Sequence, residues 1–245
     1  MRHLNFQHFL PDKIRVGTQK LRATLIFTAM YVLTPNLRKE IIDWKTCIDR
    51  TPRPFTLYLK QHFGDKPLVG AEIGFGFGFN ALNLLEELNV ERLYCIDPLK
   101  PYVTKFGQYE GKYLNKATSL FPILSKDSRL CFVKLESDEA FDSNEIPHDL
   151  DFVYVDGLHT TEQVYKDLLN SFNHVKVGGV VGGHDFTRDF QDSVLPAVFK
   201  VSAETGLIPT IEMPDFWFVK TGDCCLEQVP RKNFSQAGGR GLNRI

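Results

Sequence analysis

Apolar residues in this chain follow two rhythms. From residue 68 onward, short runs rich in β-branched and aromatic residues alternate with longer stretches of helical spacing, as in a parallel sheet covered by helices. The runs predict strands at Leu68–Ile73, Arg92–Asp97, Leu130–Leu135, Phe152–Asp156 and Val180–Gly183. Helices are expected over Asn80–Leu88, within Val103–Leu120, over Thr161–Phe172 and at about Asp192–Glu204. Phe152–Val155 is apolar at every position, which suits a strand buried on both faces.

The chain's last strands break this rhythm. Pro209–Glu212 and Phe216–Lys220 are separated only by Met213, Pro214 and Asp215, a link long enough for a hairpin but not for a parallel crossover. Before residue 60, helical stretches at Lys20–Leu33 and Leu37–Ile48 are interrupted by Pro35. The expected architecture is α/β: a doubly wound, mostly parallel sheet of about seven strands ending in an antiparallel hairpin, with an N-terminal helical extension. The expected organisation is an extension or lid over residues 1–60, the main domain over 61–231 and a mobile polar tail over 232–245.

Composition adds exclusions. Hydrophobic residues make up 43% and charged residues 24%, so a folded core is expected rather than disorder. The longest early apolar run, Ala23–Thr34, is shorter than the roughly 20 residues that span a bilayer. The start lacks the layout of a signal peptide, so a cytoplasmic protein is the expectation. The five cysteines include no CxxC and read as reduced thiols. Net charge is −1, yet residues 1–60 hold eleven Lys or Arg against four Asp or Glu. That basic stretch reads as a solvated face, or as contact with an anionic substrate or a peripheral membrane surface. Nucleic acid is not expected as the partner, and homo-oligomerisation is left open.

The chemistry gathers where the predicted strands end. Glu72-Ile73-Gly74-Phe75-Gly76-Phe77-Gly78-Phe79-Asn80 follows one strand and opens a helix, the context in which a glycine pattern suggests a nucleotide site. In a dinucleotide site the third glycine lies five residues after the first, and here that position is Phe79. Asp97 ends the second strand 23 residues after Gly74, near the spacing expected of a ribose-binding acid. Ser137 and Asp138 follow the third strand, either on an adenine rim or as helix caps. The fourth and fifth strands end in Asp156-Gly157-Leu158-His159 and Gly182-Gly183-His184-Asp185-Phe186. Four ionisable groups at adjacent strand ends are costly to bury without partners and are enriched at functional sites.

The glycine turn resembles the acidic-x-Gly-x-Gly-x-Gly motif of class I, S-adenosylmethionine-dependent methyltransferases, which have a Rossmann-like fold. Asp151–Phe186 and Ile96–Tyr102 resemble the subgroup containing sugar and macrolide-sugar O-methyltransferases and cephalosporin-hydroxylase-like proteins. The resemblance covers Leu68–Phe186 and not the first 60 residues. It implies S-adenosylmethionine as cofactor, held by Glu72, Gly74, Phe75, Gly76, Gly78, Asn80, Asp97, Pro98, Ser137, Asp138 and Asp156. It also implies a divalent metal such as Mg²⁺ or Mn²⁺ at Asp156, His184 and Asp185, although His184 stands where relatives carry an acid and Mg²⁺ prefers oxygen. His184, His159 and Asp156 are the candidate catalytic residues, for methylation of a hydroxyl on a small molecule or sugar. An NAD-linked oxidoreductase and a non-catalytic, cofactor-binding interaction module are the alternatives.

Overall fold

The computed structural model describes residues 52–100 and 124–222, together with the backbone of 102–104 and 107–109. The N-terminal helices and the tail expected from sequence lie outside the described residues, as does most of the 103–120 segment.

Seven strands form the main sheet: β1 (Leu68–Ile73), β2 (Val90–Ile96), β5 (Leu130–Val133), β6 (Leu150–Val155), β7 (Val175–Gly183), β8 (Thr210–Glu212) and β9 (Asp215–Val219). Their spatial order is β5-β2-β1-β6-β7-β9-β8. The pairs among β5, β2, β1, β6 and β7 are all parallel, whereas β9 runs antiparallel to both β7 and β8. The order reverses between β1 and β6, which is where open α/β sheets form a ligand crevice at their carboxyl ends. A dinucleotide-binding sheet ends on a sixth parallel strand, but here the hairpin inserts the last strand between β7 and β8. This is the doubly wound, mostly parallel sheet with a terminal antiparallel hairpin expected from the sequence. A short hairpin, β3 (Tyr102–Thr104) with β4 (Gly107–Tyr109), occupies the start of the stretch expected to be helical.

Strand alternation separates the two faces. Ala71, Ile73, Val153, Val155 and Val181 face helices α3 (Ser137–Asp142), α4 (Thr161–His174) and α5 (Val194–Thr205), where Leu168, Phe172 and Val198 are fully buried. Phe152, Tyr154, Val180 and Trp217 face α1 (Pro54–Phe63) and α2 (Phe79–Glu87). Full burial of each such side chain stabilises by about 1.5–3 kcal/mol. Helix α1 starts with Pro at a position that needs no N–H donor. Its Phe55 ring lies so close to β7 that a Cβ on Gly182 would stand 2.5 Å from it. Helix α4 is capped by Thr160, whose hydroxyl accepts from Gln163 N at 3.2 Å.

The structure extends β7 back to Val175, beyond the expected Val180 start. Gly178 takes φ 81° within an irregularity where the β6–β7 register shifts, the bulge use of a strand glycine. The short helix α3 begins where the sequence offers Ser137 and Asp138 as helix caps, but Glu136 is its N-cap and the two residues lie within its first turn.

Candidate functional site

Backbone pairing draws the strand ends together. Gly74 N donates to Ile96 O at 2.8 Å, Asp156 N to Ile73 O at 2.8 Å and His184 N to Val155 O at 3.1 Å. The glycine turn, the Asp156 loop and the His184 loop therefore share one edge of the sheet.

Gly74, Gly76 and Gly78 have φ of 89°, 51° and 85°, values that side chains rarely adopt. A Cβ on Gly74 would stand 2.1 Å from the Asp156 carbonyl oxygen, so this glycine admits the neighbouring strand end. Phe75 packs edge-on against Phe132, with ring centroids 5.4 Å apart. Asp97 supports the turn from below. Its Oδ2 accepts from Phe75 N at 3.1 Å and Gly76 N at 3.4 Å, and its Oδ1 accepts from Leu99 N at 2.8 Å. Burial raises its pKa, partly offset by those donors. Pro98, next in sequence, is half-buried.

Glu72 is 1% exposed. Its Oε1 accepts from Asn80 Nδ2 at 2.8 Å, and its Oε2 meets Cys95 Sγ at 3.7 Å. Burial pushes its pKa up to about 8 despite the Asn80 bond. Asn80 Oδ1 is buried with no hydrogen-bond partner among the described residues. The pair thus offers acceptors with too few donors, a vacancy that an ammonium group fits.

Ser137 and Asp138 both turn toward α4. Ser137 Oγ donates to Asp167 Oδ1 at 2.5 Å, and Gln163 Nε2 donates to both, at 3.1 and 2.9 Å. Asp138 accepts from Asn170 Nδ2 at 3.1 Å. Asp167 is 1% exposed, and burial pushes its pKa up to about 7. Its Oδ2 has no partner among the described residues, and a Cβ on Gly157 would lie 3.7 Å from it. The sequence reading missed Asp167, although its place on the buried stripe of α4 with Val164, Leu168 and Ser171 was a signal.

Beyond β6 and β7 the site is ionic. His159 Nε2 lies 2.8 Å from Asp185 Oδ2 and 3.5 Å from Asp156 Oδ1, though neither contact has hydrogen-bond geometry. Burial disfavours the imidazolium, but the two carboxylates outweigh it and push the His159 pKa up to about 10. Asp185 is half-buried, which opposes its charge, yet the two histidines hold its pKa well below the usual carboxylate range. His184 Nδ1 is 2.9 Å from Asp185 Oδ1 and 3.9 Å from Asp156 Oδ1. Asp185 occupies the left-handed region at φ 61°, where Asp is tolerated better than most residues. Asp156, His184 and Asp185 bring one ligand atom each within 4.8 Å of one another, two oxygens and a nitrogen. Such a set suits a first-row divalent cation such as Mn²⁺ better than Mg²⁺.

Three more residues close the far side, none of them singled out from the sequence. Arg53 Nη1 donates to Tyr154 Oη at 2.7 Å and to Asp156 Oδ2 at 3.4 Å, and Tyr154 Oη donates to Asp215 Oδ1 at 2.9 Å. A tyrosine inside a fully buried strand was the available signal, because its hydroxyl needs a partner.

Among the described residues no helix is long and apolar enough to cross a membrane. Residues 71–186 match the model of a family described as a methyltransferase domain. No curated protein matches the chain. Solved structures resemble it at low identity. The MycE methyltransferase of the mycinamycin biosynthetic pathway, solved with Mg and SAH, is 14% identical with a TM-score of 0.49, over 71% of this chain and 51% of that one. Spermidine synthase from Thermotoga maritima is 15% identical with a TM-score of 0.47, over 73% and 66%. The N-methyltransferase NodS from Bradyrhizobium japonicum WM9 is 14% identical with a TM-score of 0.45, over 71% and 99%. The chain spans about half the length of MycE. The family match falls on the glycine turn and both ionic strand ends, so the residues gathered at this edge are the ones that resemble a methyltransferase domain.

Proposed function

We propose that the chain transfers a methyl group from S-adenosylmethionine to a hydroxyl of a small molecule or sugar. The observation that carries this reading is the His184–Asp185 pair, 2.9 Å apart at the end of β7 and beside Asp156 at the strand-order switch. A carboxylate facing Nδ1 fixes the ring proton there and leaves Nε2 as the accepting nitrogen. A neutral amine attacks with its own lone pair, whereas a hydroxyl is a poor nucleophile until its proton leaves. A positioned imidazole base therefore favours an oxygen acceptor.

The sulfonium of bound S-adenosylmethionine supplies the methyl group and the driving force for its transfer. Gly74, Gly76 and Gly78 shape the turn that lines the cofactor, and Phe75 and Asn80 continue that wall. Glu72 and Asn80 Oδ1 hold acceptors for an ammonium. Asp97 has one acceptor site left for a ribose hydroxyl beyond its three backbone bonds, with Pro98 beside it. Ser137 and Asp138 set the adenine rim through their hold on α4. His184 takes the acceptor proton, while His159, as imidazolium, holds Asp156 and Asp185 in place. Alignment supplies most of the rate, as effective molarities of about 10⁵ M or more allow. A divalent cation held by Asp156, His184 and Asp185 would displace the Nδ1 proton, making His184 a ligand instead of the base, and would itself lower the pKa of an acceptor hydroxyl.

Calorimetry with S-adenosylhomocysteine and with NADH tests the cofactor assignment. Binding of the first and not the second is expected. No S-adenosylhomocysteine binding at millimolar ligand overturns the assignment, and NADH binding in its place points to an oxidoreductase. Across a panel of sugar and phenolic acceptors, His184→Ala is expected to lower turnover about 10²–10⁴-fold with S-adenosylhomocysteine affinity unchanged. Unchanged turnover refutes the base role.

A further inference from the structure

The residues that grip Asp156 from behind lie largely outside the matched segment 71–186. Arg53 is the N-cap of α1, and Asp215 opens β9. The Arg53 side chain is 13% exposed, and a charge this far from water needs partners. One nitrogen, Nη1, serves both Tyr154 Oη at 2.7 Å and Asp156 Oδ2 at 3.4 Å. A guanidinium accepts nothing, so the phenol oxygen accepts from Arg53 and gives its only proton to Asp215 Oδ1 at 2.9 Å. Asp215 Oδ2 accepts from Phe55 N at 3.1 Å, which ties the chain of bonds to the first turn of α1.

An arginine keeps its charge at any working pH, and Tyr154, Asp156 and Asp215 surround this one as partners. Stability explains such an arrangement poorly, because well-packed apolar residues often replace buried ion pairs at no cost. The consequence for the site is more specific. With Oδ2 of Asp156 engaged by Arg53, Oδ1 is the oxygen left facing His159 at 3.5 Å and His184 at 3.9 Å. Arg53 is a fixed cation behind Asp156, additional to His159, which stands 2.8 Å from Asp185 on the other side, so an incoming divalent ion meets Arg53's repulsion across a single carboxylate, in a setting that water screens weakly.

We infer that Arg53 is a positioning residue of this edge: it occupies the outer oxygen of Asp156 as a resident counter-cation and sets how strongly Asp156, His184 and Asp185 draw in a divalent metal. The inference deepens the proposed reading of the same edge and rests on it for the edge's role. It places control of metal affinity in α1, outside the methyltransferase match.

The test uses the full chain with Mn²⁺ alone, following free Mn²⁺ by electron paramagnetic resonance. Arg53→Met keeps an unbranched apolar stem and removes the charge, and should tighten Mn²⁺ binding roughly tenfold or more. Arg53→Lys keeps the charge and should stay within about threefold of the parent. A purely structural role would move both thermal midpoints without producing that split. Binding by the Met variant where the parent shows none supports the inference. Unchanged, weaker or absent Mn²⁺ binding by the Met variant overturns it, as does an equal response of the Met and Lys variants. Should Arg53→Met fail to fold, Tyr154→Phe removes the phenol that anchors Arg53 and should also tighten binding, by a smaller factor; no gain there overturns the inference. S-adenosylhomocysteine calorimetry on the same proteins separates the two readings. Its failure with the parent chain sinks the methyltransferase assignment and leaves the Mn²⁺ comparison to be judged separately.

Discussion

Along β1 and β2 the crevice is made of backbone. Three glycines take positive φ, Asp97 spends its carboxylate on three N–H groups, and burial raises the pKa of both acids on this side. Along β6 and β7 it is made of charge. Asp156, His159, His184 and Asp185 lie within 4 Å of one another in pairs, and the pairing drives pKa values apart, His159 upward and Asp185 downward. A wall of backbone suits a ligand of fixed shape, because its geometry does not respond to ionic strength or pH. An edge of paired charges suits proton movement, because each group is already held near a partner that answers its ionisation. The two halves should therefore fail in different ways.

The largest effect is expected where the halves touch. Gly74→Ala places a Cβ 2.1 Å from the Asp156 carbonyl in a residue at φ 89°. Steric displacement and backbone strain together should cost about 4 kcal/mol, read as a lower urea midpoint. Affinity for S-adenosylhomocysteine should fall with it, even under conditions where the variant stays folded. A variant with normal stability and normal affinity would break the comparison, because the glycine turn would then not depend on the β6 edge.

This contact also marks the limit of what the sequence discloses. The strands, the terminal hairpin and the glycine turn were legible because each rests on local signals: apolar runs, a three-residue link, and glycines between a strand and a helix. His184 and Asp185 were legible as a strand-end cluster. Arg53, Tyr154 and Asp215 were not, because their bonds join residues 101 and 61 positions apart and no local pattern encodes such a pairing. The 102–109 hairpin went unforeseen for a related reason: its strands are three residues each, too short for a period of two to show, while the helix expected within Val103–Leu120 falls largely outside the described residues. Domain limits drawn at residue 60 fall inside α1, whose buried Phe55 and Leu59 join it to the sheet.

A smaller effect is expected in the charged half and should depend on pH. The folded pKa of His159, about 10, lies above its ordinary 6.5. Its contribution to stability is then fully present below pH 6.5 and lost as pH rises through 10. His159→Asn, measured with a chelator present, should be less stable than the parent by about 2 kcal/mol near pH 6, with the difference shrinking toward pH 10. A difference constant across that range would show that the ring acts through packing against Phe190, whose centroid is 4.8 Å away, and not through the carboxylates.

The smallest expected effect has the opposite pH sense and belongs to the backbone half. Glu72 has a folded pKa of about 8 against an ordinary 4.5, so the folded state binds its proton more tightly than the unfolded chain does. Stability linked to Glu72 is therefore greatest below pH 4.5 and declines as pH rises through 8, the reverse of a salt-bridged carboxylate. Glu72→Gln removes that decline. It keeps an acceptor for Asn80 Nδ2, but its new N–H groups meet a thiol and one unpartnered amide oxygen, which trims the gain. Near pH 8 the variant should be more stable than the parent by about 1 kcal/mol, and near pH 4.5 the order should equalise or reverse. Thermal midpoints across that range decide the matter. If the parent instead gains on the variant as pH rises, Glu72 is ionised in the fold and the backbone half carries a charge of its own.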